Sequence, residues 1–139
     1  MPHTLIHHLN ALPPESIVGI RGNADVTVTA PFVEDSRKVE RGGVFVARAG
    51  LQTDGHDYIQ QAIDQGAVAV IGEYPWRLGM FPYVQVRDIH LALGRLAASY
   101  HDFPSRKLTV FGVTGTNGKT TTIHLLHAIL KHHTGGKAG

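Results

Sequence analysis

The sequence of 139 residues has no cysteine, which excludes disulfide bonds and metal sites built on thiolates. No stretch approaches the roughly 20 apolar residues that a membrane helix needs, and the start, MPHTLIHHLNALPPES, lacks a secretory leader. The 13 basic and 11 acidic residues are interspersed, so no basic block with interleaved aromatics is available to bind nucleic acid. We therefore expect a soluble, cytoplasmic protein without membrane insertion.

Helix and strand patterns alternate through most of the chain. Apolar residues at helical spacing predict helices over TLIHHLNAL, over DGHDYIQQAIDQG with a left-handed C-terminal cap at Gly66, and after Asp88, which can cap its helix. Short apolar or β-branched runs predict strands at 17–20, 26–29, 32–33, 44–47, 67–71 and 83–86. This alternation predicts the α/β class.

The pattern also suggests where the chain divides. A helix and a connector containing a proline separate two α/β patterns between residues 84 and 105. We assign residues 1–86 to a first domain, residues 87–106 to a connecting helix and linker, and residues 107–139 to the opening of a second domain.

A glycine-rich segment, GVTGTNGKTTT, follows a predicted strand at 108–113 and leads into a predicted helix. Gly115 and Gly118 permit unusual backbone angles, so several N–H groups can converge on one oxyanion. The N-terminus of the helix adds partial positive charge. Lys119 can reach outer phosphates, and the hydroxyl of Thr120 can bind Mg²⁺. Although Val113 replaces the first glycine of the usual pattern, the remaining Gly-x-x-Gly-Lys-Thr core predicts a phosphate-binding loop.

With its flanks, this loop resembles the ATP loop of the Mur ligases, cytoplasmic enzymes that build the peptide of bacterial peptidoglycan. The upstream block DSRKVERGGVFVARAGLQTDGHDYIQQAIDQGAVAVIGE resembles the UDP-binding domain of the members that add the third residue to UDP-N-acetylmuramoyl-L-alanyl-D-glutamate. The members that add the D-alanyl-D-alanine dipeptide share much of this block, and they remain an alternative. A non-enzymatic UDP-sugar-binding module with a vestigial phosphate loop is another.

The resemblance implies a small N-terminal UDP-binding α/β domain, followed by the first strand, phosphate loop and helix of a P-loop ATPase domain that continues in a complete enzyme. It implies that ATP is bound by Gly115, Thr116, Asn117, Gly118, Lys119, Thr120 and Thr121. Lys119 would be catalytic and Thr120 would bind Mg²⁺. It also implies that the UDP part of the substrate is bound by Glu34, Ser36, Leu51, Gln52 and Thr53. These last residues adjoin predicted strands, where loop amides and short polar side chains can bind a base edge.

The family reaction, as the resemblance implies it, transfers the γ-phosphate of ATP to a carboxylate of the UDP-N-acetylmuramoyl-peptide, and the amine of an amino acid then attacks the acyl phosphate. The cofactors would be ATP and Mg²⁺. We expect the 139-residue chain to be inactive alone, because further ligands and an oriented acceptor are needed. We also expect exposed apolar residues around Leu125 and Ile129, which make self-association of the chain possible.

Three other features have structural explanations. Two roles are open for Arg37, pairing with a diphosphate or anchoring its turn to an acidic neighbour, and we favour the second. Asp54 is expected to form a turn and helix cap. His124 and His127 lie one helical turn apart, but we interpret them as a narrow polar stripe on a mostly buried helix, with no histidine-bound metal.

Overall fold

The computed structural model describes residues 2–50, 53–75 and 79–139. The chain forms two compact units, Met1–Pro104 and Ser105–Gly139. Across the described residues, no helix combines the length and the apolar character needed to cross a membrane.

The first unit is built on a mixed five-stranded sheet with the strand order β2-β7-β6-β5-β4. Strands β4 to β7 are parallel to one another, and β2 pairs antiparallel to β7 at one edge. Two short strands, β1 and β3, form a separate antiparallel pair. The strands are β1 His3–Thr4, β2 Ile17–Arg21, β3 Thr27–Val28, β4 Phe32–Val33, β5 Val44–Ala47, β6 Ala69–Gly72 and β7 Tyr83–Val86.

Helices cover both faces of this sheet, as parallel strands require. They are α1 Leu5–Leu9, α2 Ile59–Asp64 and α3 Ile89–Tyr100. Asp88 caps α3, because its carboxylate accepts a hydrogen bond of 2.9 Å from the backbone N–H of Leu91. Gly66 follows α2 with φ of +106°, the left-handed conformation that its position predicts.

The side chains of strand β5 contribute to the cores on both faces of the sheet. Because successive side chains of a strand point to opposite faces, Val44 and Val46 enter the core under α1 and α3, while Phe45 and Ala47 enter the core under α2. All four side chains are buried. The sequence pattern therefore predicts both the limits and the burial of this strand correctly.

Helix α3 belongs to the first unit rather than lying outside it. Ile89, Ala92 and Leu96 are buried in the same core cluster as α1 and the sheet. The compact unit thus extends to Pro104, whereas the sequence assigns residues 87–106 to a connector. The domain limits themselves stay a prediction.

Helix α1 differs from its sequence prediction. It ends at Leu9, and its buried residues are Leu5, His8 and Leu9, while Ile6 is 41% exposed. Nδ1 of His8 lies 3.0 Å from the Oγ of Ser99 on α3, so the imidazole has a polar partner inside the core. The predicted helix over TLIHHLNAL is thus shorter than expected, and a buried polar contact joins it to α3.

A 3-10 turn at Pro104–Lys107 spans the boundary between the units, and the second unit, all of whose residues are described, contains the helix α4 at Lys119–His133. The predicted helix is confirmed, but the predicted strand at 108–113 is wrong. Leu108, Val110 and Phe111 are more than half exposed. A strand needs a neighbour to satisfy its backbone hydrogen bonds, and the second unit holds no other strand.

Candidate functional site

A cavity of about 480 Å³ lies at the carboxyl ends of two parallel strands. Glu34 follows directly after β4, and Arg48 follows directly after β5. In open α/β sheets, ligands bind in the crevice outside this edge, where loops rather than strands present their side chains. The position of the cavity therefore follows from the topology of the sheet.

The cavity brings together three of the five residues expected to bind UDP. Glu34, Ser36 and Thr53 line it, although Glu34 and Thr53 are separated by 19 positions of sequence. The other two, Leu51 and Gln52, lie outside the described residues.

A tight turn carries Thr53 to the cavity. Ala49 and Asp54 form an antiparallel bridge, and the N–H of Gly50 donates to the carbonyl of Thr53 at 2.9 Å. The N–H of Gly55 donates to the carbonyl of Arg48 at 2.8 Å, which closes the base of the turn. A Cβ at Gly55 would lie 2.7 Å from both the backbone N and O of Arg48, so this close approach requires glycine.

Asp54 fixes the end of the turn and starts the 3-10 turn Gly55–Tyr58, as the sequence predicts for a cap. Its carboxylate accepts from the backbone N–H of His56 at 2.9 Å and lies 2.6 Å from the Nδ1 of the same residue. These two contacts, the backbone one first, hold the pKa of Asp54 below its usual value. The His56 ring stacks on Tyr74, with 4.4 Å between ring centroids, and so links the turn to the segment after β6.

Ser36 is buried at the cavity and is oriented by helix α2. Its Oγ donates a hydrogen bond of 2.9 Å to the Oε1 of Gln61. This orientation leaves the lone pairs of the Ser36 hydroxyl and the two amide N–H groups of Gln61 as acceptor and donors for a ligand. Together, the Ser36 acceptor and the Gln61 donors can pair with the edge of a pyrimidine or with an amide.

Two arginines at the cavity are tied to carboxylates in different ways. Arg37 forms a two-point contact with Asp35, through Nε at 2.9 Å and Nη2 at 2.9 Å. This confirms that Arg37 anchors its turn to an acidic neighbour. The hydrogen bonds from Arg37 hold the pKa of the Asp35 carboxyl below its usual value. Arg48 instead pairs through Nε with the Oε1 of Glu34, at 2.7 Å, and thereby connects the loops after β4 and β5.

Sequence reasoning did not assign Arg48, Tyr58 or Gln61 to the site, yet all three line the cavity. The signal for Arg48 was its position immediately after a buried strand, on the edge where parallel α/β proteins bind ligands. For Gln61, which lies on α2, no comparable signal existed, because its partner Ser36 is 25 positions away.

The predicted phosphate loop lies in the second unit and precedes α4. Gly115 and Gly118 have φ of +148° and +75°, conformations that side-chain-bearing residues rarely adopt. The Lys119 ammonium donates to the carbonyl of Gly115 and lies 3.5 Å from that of Thr116, so the lysine folds back over its own loop. Thr120 and Thr121 are exposed in the first turn of the helix. The residues expected to bind ATP, 115–121, thus form a bend followed by a helix N-terminus.

Helix α4 is not the mostly buried helix that we expected from the sequence. None of its residues is buried, and Ile123, Leu125 and Ile129 are at least half exposed, which agrees with the exposure expected around Leu125 and Ile129. The Nε2 of His127 lies 3.3 Å from the carbonyl of Ala138, a contact within the second unit. Among the described residues, no group of three or more His, Asp or Glu side chains is placed to hold a metal ion.

Comparisons with known proteins add an independent observation. Residues 33–101 match the family described as Mur ligase family, catalytic domain, a range that includes every described residue lining the cavity. Among curated relatives, the UDP-N-acetylmuramoyl-L-alanyl-D-glutamate--2,6-diaminopimelate ligase of Cytophaga hutchinsonii is 44% identical over 119 residues, covering 84% of this chain and 24% of the relative. The ligase of the same name from Bacillus cereus is 39% identical over 137 residues, covering 99% of this chain and 26% of the relative.

A solved structure extends the comparison to the fold. The MurF ligase from Thermotoga maritima, in complex with ADP, is 36% identical and superposes with a TM-score of 0.56, covering 75% of this chain and 24% of its own. The chain therefore spans about a quarter of the length of these proteins. The match to the Bacillus cereus protein covers the chain almost completely and so includes the loop at 115–121.

Proposed function

The chain belongs to the Mur ligase family, and on that premise we propose that it is the N-terminal part of an ATP-dependent ligase of peptidoglycan synthesis. That ligase adds the third amino acid to UDP-N-acetylmuramoyl-L-alanyl-D-glutamate through an acyl phosphate. Both curated relatives described above carry 2,6-diaminopimelate in their names, which favours this member of the family over the dipeptide-adding one and makes diaminopimelate the amino acid to test.

The cavity after β4 and β5 is the observation that supports this function most directly. Its volume of about 480 Å³ falls within the range of roughly 300–1,000 Å³ typical of small-molecule sites. The cavity carries a buried hydroxyl, a carboxamide and two guanidinium groups, which match the donors and acceptors of a pyrimidine nucleotide. We assign to it the UDP end of the substrate.

Ser36 and Gln61 are suited to the uracil edge. Uracil presents one N–H donor between two carbonyl acceptors, while the hydroxyl of Ser36 can accept and the amide of Gln61 can donate. Because their mutual hydrogen bond fixes both groups, little side-chain entropy would be lost on binding. In this role Ser36 and Gln61 bind the base, and Thr53 adds a polar group on the opposite turn.

The phosphate loop would bind ATP in the longer enzyme. Its left-handed glycines and the N-terminus of α4 fit an anionic phosphate, and the Lys119 ammonium would exchange carbonyl oxygens of the loop for phosphate oxygens. The hydroxyl of Thr120 would provide one ligand to Mg²⁺, which supplies charge neutralisation when bound. The related Thermotoga maritima ligase was solved in complex with ADP, so a relative of this chain binds an adenine nucleotide.

Titration of the isotopically labelled 139-residue chain with UDP tests the cavity. We expect backbone amide shifts at Ser36 and Thr53 and side-chain shifts at Gln61, with weaker binding of GDP because its purine does not match the edge. Ser36→Ala should weaken UDP binding about twofold to tenfold, the value of one neutral hydrogen bond.

Ser16→Ala is the matched control, since Ser16 is also buried but lies outside the described lining of the cavity. Its Oγ donates to the carbonyl of Pro13, so it should leave UDP affinity unchanged. Shifts that avoid both Ser36 and Thr53 would show that the nucleotide binds elsewhere.

A phosphate-release assay tests the second part of the proposal. We expect no turnover of magnesium-ATP by the 139-residue chain, because the loop supplies only Lys119 and Thr120 among the parts that phosphoryl transfer needs. In a ligase of full family length, Lys119→Ala should abolish ligation and leave UDP binding intact. Turnover by the 139-residue chain would contradict its assignment as an incomplete part of the enzyme.

A further inference from the structure

Glu34 and Arg48 form an ion pair at the cavity. A negatively charged Glu34 repels an anionic ligand, so ligand binding alone does not explain why it lies there. The carboxylate and the guanidinium are 2.7 Å apart, and their side chains are 38% and 42% exposed, so both reach solvent at the cavity wall. Within the described residues, Glu34 is the carboxylate that pairs with Arg48. An anionic ligand that enters the cavity would be attracted by one partner and repelled by the other.

We propose that Glu34 is an internal competitor for the anionic part of the ligand, and that a nucleoside diphosphate takes Arg48 away from it. The inference rests on the proposed nucleotide-binding function and changes the role of Glu34 within it. Arg48 becomes the residue that binds the diphosphate, while Glu34 holds the guanidinium in place when the ligand is absent and weakens binding when it is present.

The geometry selects Arg48 over Arg37 for this exchange. Arg37 is held at two points by Asp35, its neighbour two positions earlier in the same turn, and a two-point contact is both stronger and more directional. Arg48 has a single-point contact through Nε. The remaining N–H groups of its guanidinium fork are those that match phosphate oxygens in pairs.

The partial exposure of Glu34 and Arg48 to solvent also favours the transfer of Arg48 from Glu34 to the diphosphate. Since both side chains are partly exposed, the contact is screened and contributes little to stability. A diphosphate carries more negative charge than one carboxylate, so it competes well for the same guanidinium. Release of Glu34 into solvent costs little, because its carboxylate can be hydrated at once.

Calorimetric titration of the 139-residue chain with UDP and with uridine tests the proposal. Glu34→Gln should tighten UDP binding about threefold to tenfold at low salt, and the gain should shrink as salt screens the charges. Uridine, which lacks the phosphates, should bind the wild type and this variant equally. Arg48→Met should weaken UDP binding, and the Glu34→Gln gain should disappear in the double variant, because the two residues act through each other.

Two variants control for the loss of negative charge itself. Asp35→Asn removes a charge at the same cavity and frees Arg37, and Glu15→Gln removes one from an exposed position in the 3-10 turn Pro14–Ser16. Both should change UDP affinity less than Glu34→Gln does. Thermal unfolding of each variant should confirm that it retains the fold.

Each other result speaks against the proposal in a distinct way. If the wild type binds UDP and Glu34→Gln binds it equally or more weakly, Glu34 is not a competitor. If the gain persists with Arg48→Met, Glu34 only repels the ligand and Arg48 is not its target. If Asp35→Asn gives an equal gain, Arg37 is the diphosphate residue. If neither the wild type nor any variant binds UDP, the nucleotide-binding function itself fails, and this inference fails with it.

Discussion

The two units of the chain place their apolar side chains in opposite ways. In Met1–Pro104, apolar side chains from both faces of the sheet are buried in two clusters beneath the helices. In Ser105–Gly139, helix α4 has no buried residue, and six large apolar residues of the unit are at least half exposed, namely Leu108, Val110, Phe111, Ile123, Leu125 and Ile129. The difference teaches that a strand-like run and an amphipathic helix do not make a core unless a second layer faces them.

Among the variants that test this comparison, the loss of a core side chain should change the free energy of unfolding the most. Leu96 is fully buried on α3, so Leu96→Ala should lower the free energy of unfolding by about 2–5 kcal/mol. Leu125→Ala on α4 removes the same atoms from a side chain that is 62% exposed and should change it by less than about 0.5 kcal/mol. Urea denaturation of both variants measures the contrast. Equal losses of unfolding free energy in the two variants would show that Leu125 of α4 is buried in solution.

A second, slightly smaller effect concerns pH. Burial, followed by the neighbouring His7 and His3, lowers the pKa of His8 from 6.5 to about 4. As pH falls from 6.5 to 4, the unfolded chain gains a proton at His8 that the folded chain does not, so stability falls. Since a tenfold difference in proton affinity corresponds to about 1.4 kcal/mol, the loss is about 3 kcal/mol.

The pH effect is isolated by comparing the wild type with His8→Gln. The variant should show a shallower decrease in unfolding free energy between pH 6.5 and 4, even if it is less stable throughout. Repeating the series in 1 M NaCl should remove the contributions of His7 and His3 and leave that of burial. Parallel curves for the two proteins would contradict a neutral, buried His8.

A third variant tests the close approach at the base of the cavity turn. At Gly55 an added Cβ would collide with backbone atoms of Arg48, which cannot rotate away as a side chain could. Gly55→Ala should therefore cost about 1–3 kcal/mol and weaken UDP binding by displacing the turn. Gly112→Ala is the control in the second unit, because its Cβ would meet nothing within 4 Å. An unchanged melting temperature for Gly55→Ala would show that the turn can shift freely.

The smallest effect is expected on α4 itself. Ile129 is 65% exposed, so Ile129→Lys should change the unfolding free energy by less than about 0.5 kcal/mol. If the exposed apolar residues of the second unit promote self-association, this variant should lower it, whereas Ile129→Val should not. Sedimentation velocity at increasing protein concentration distinguishes these outcomes.

The strands of the first unit could be predicted from the sequence where local signals agreed. Both limits of Val44–Ala47 and Tyr83–Val86 are correct, because each is an apolar or β-branched run bounded by glycine, proline or charge. The strand predicted at 108–113 is wrong for the opposite reason. Its local pattern is equally favourable, but a strand depends on a partner, and pairing is not a local property.

The candidate site was predictable only in part for a similar reason. The resemblance to a family suggests Glu34, Ser36 and Thr53, and the structure places all three at one cavity. The contacts that orient them join distant positions, Ser36 to Gln61 and Glu34 to Arg48. Neither contact leaves a periodic or spacing signal in a single sequence. The burial of His8 was missed likewise, since its partner Ser99 is 91 positions away.

The pairing of β2 with β7 also has a consequence for the timing of synthesis. Strand β2 is among the first segments made, but it pairs with a strand that begins 62 positions after β2 ends, at Tyr83. At a ribosomal rate of about 5–20 residues per second, Ile17–Arg21 remains unpaired for roughly 3 to 12 seconds before Tyr83 is made. Strand β2 therefore joins the sheet only after β7 has been made, because β7 is its neighbour in the strand order.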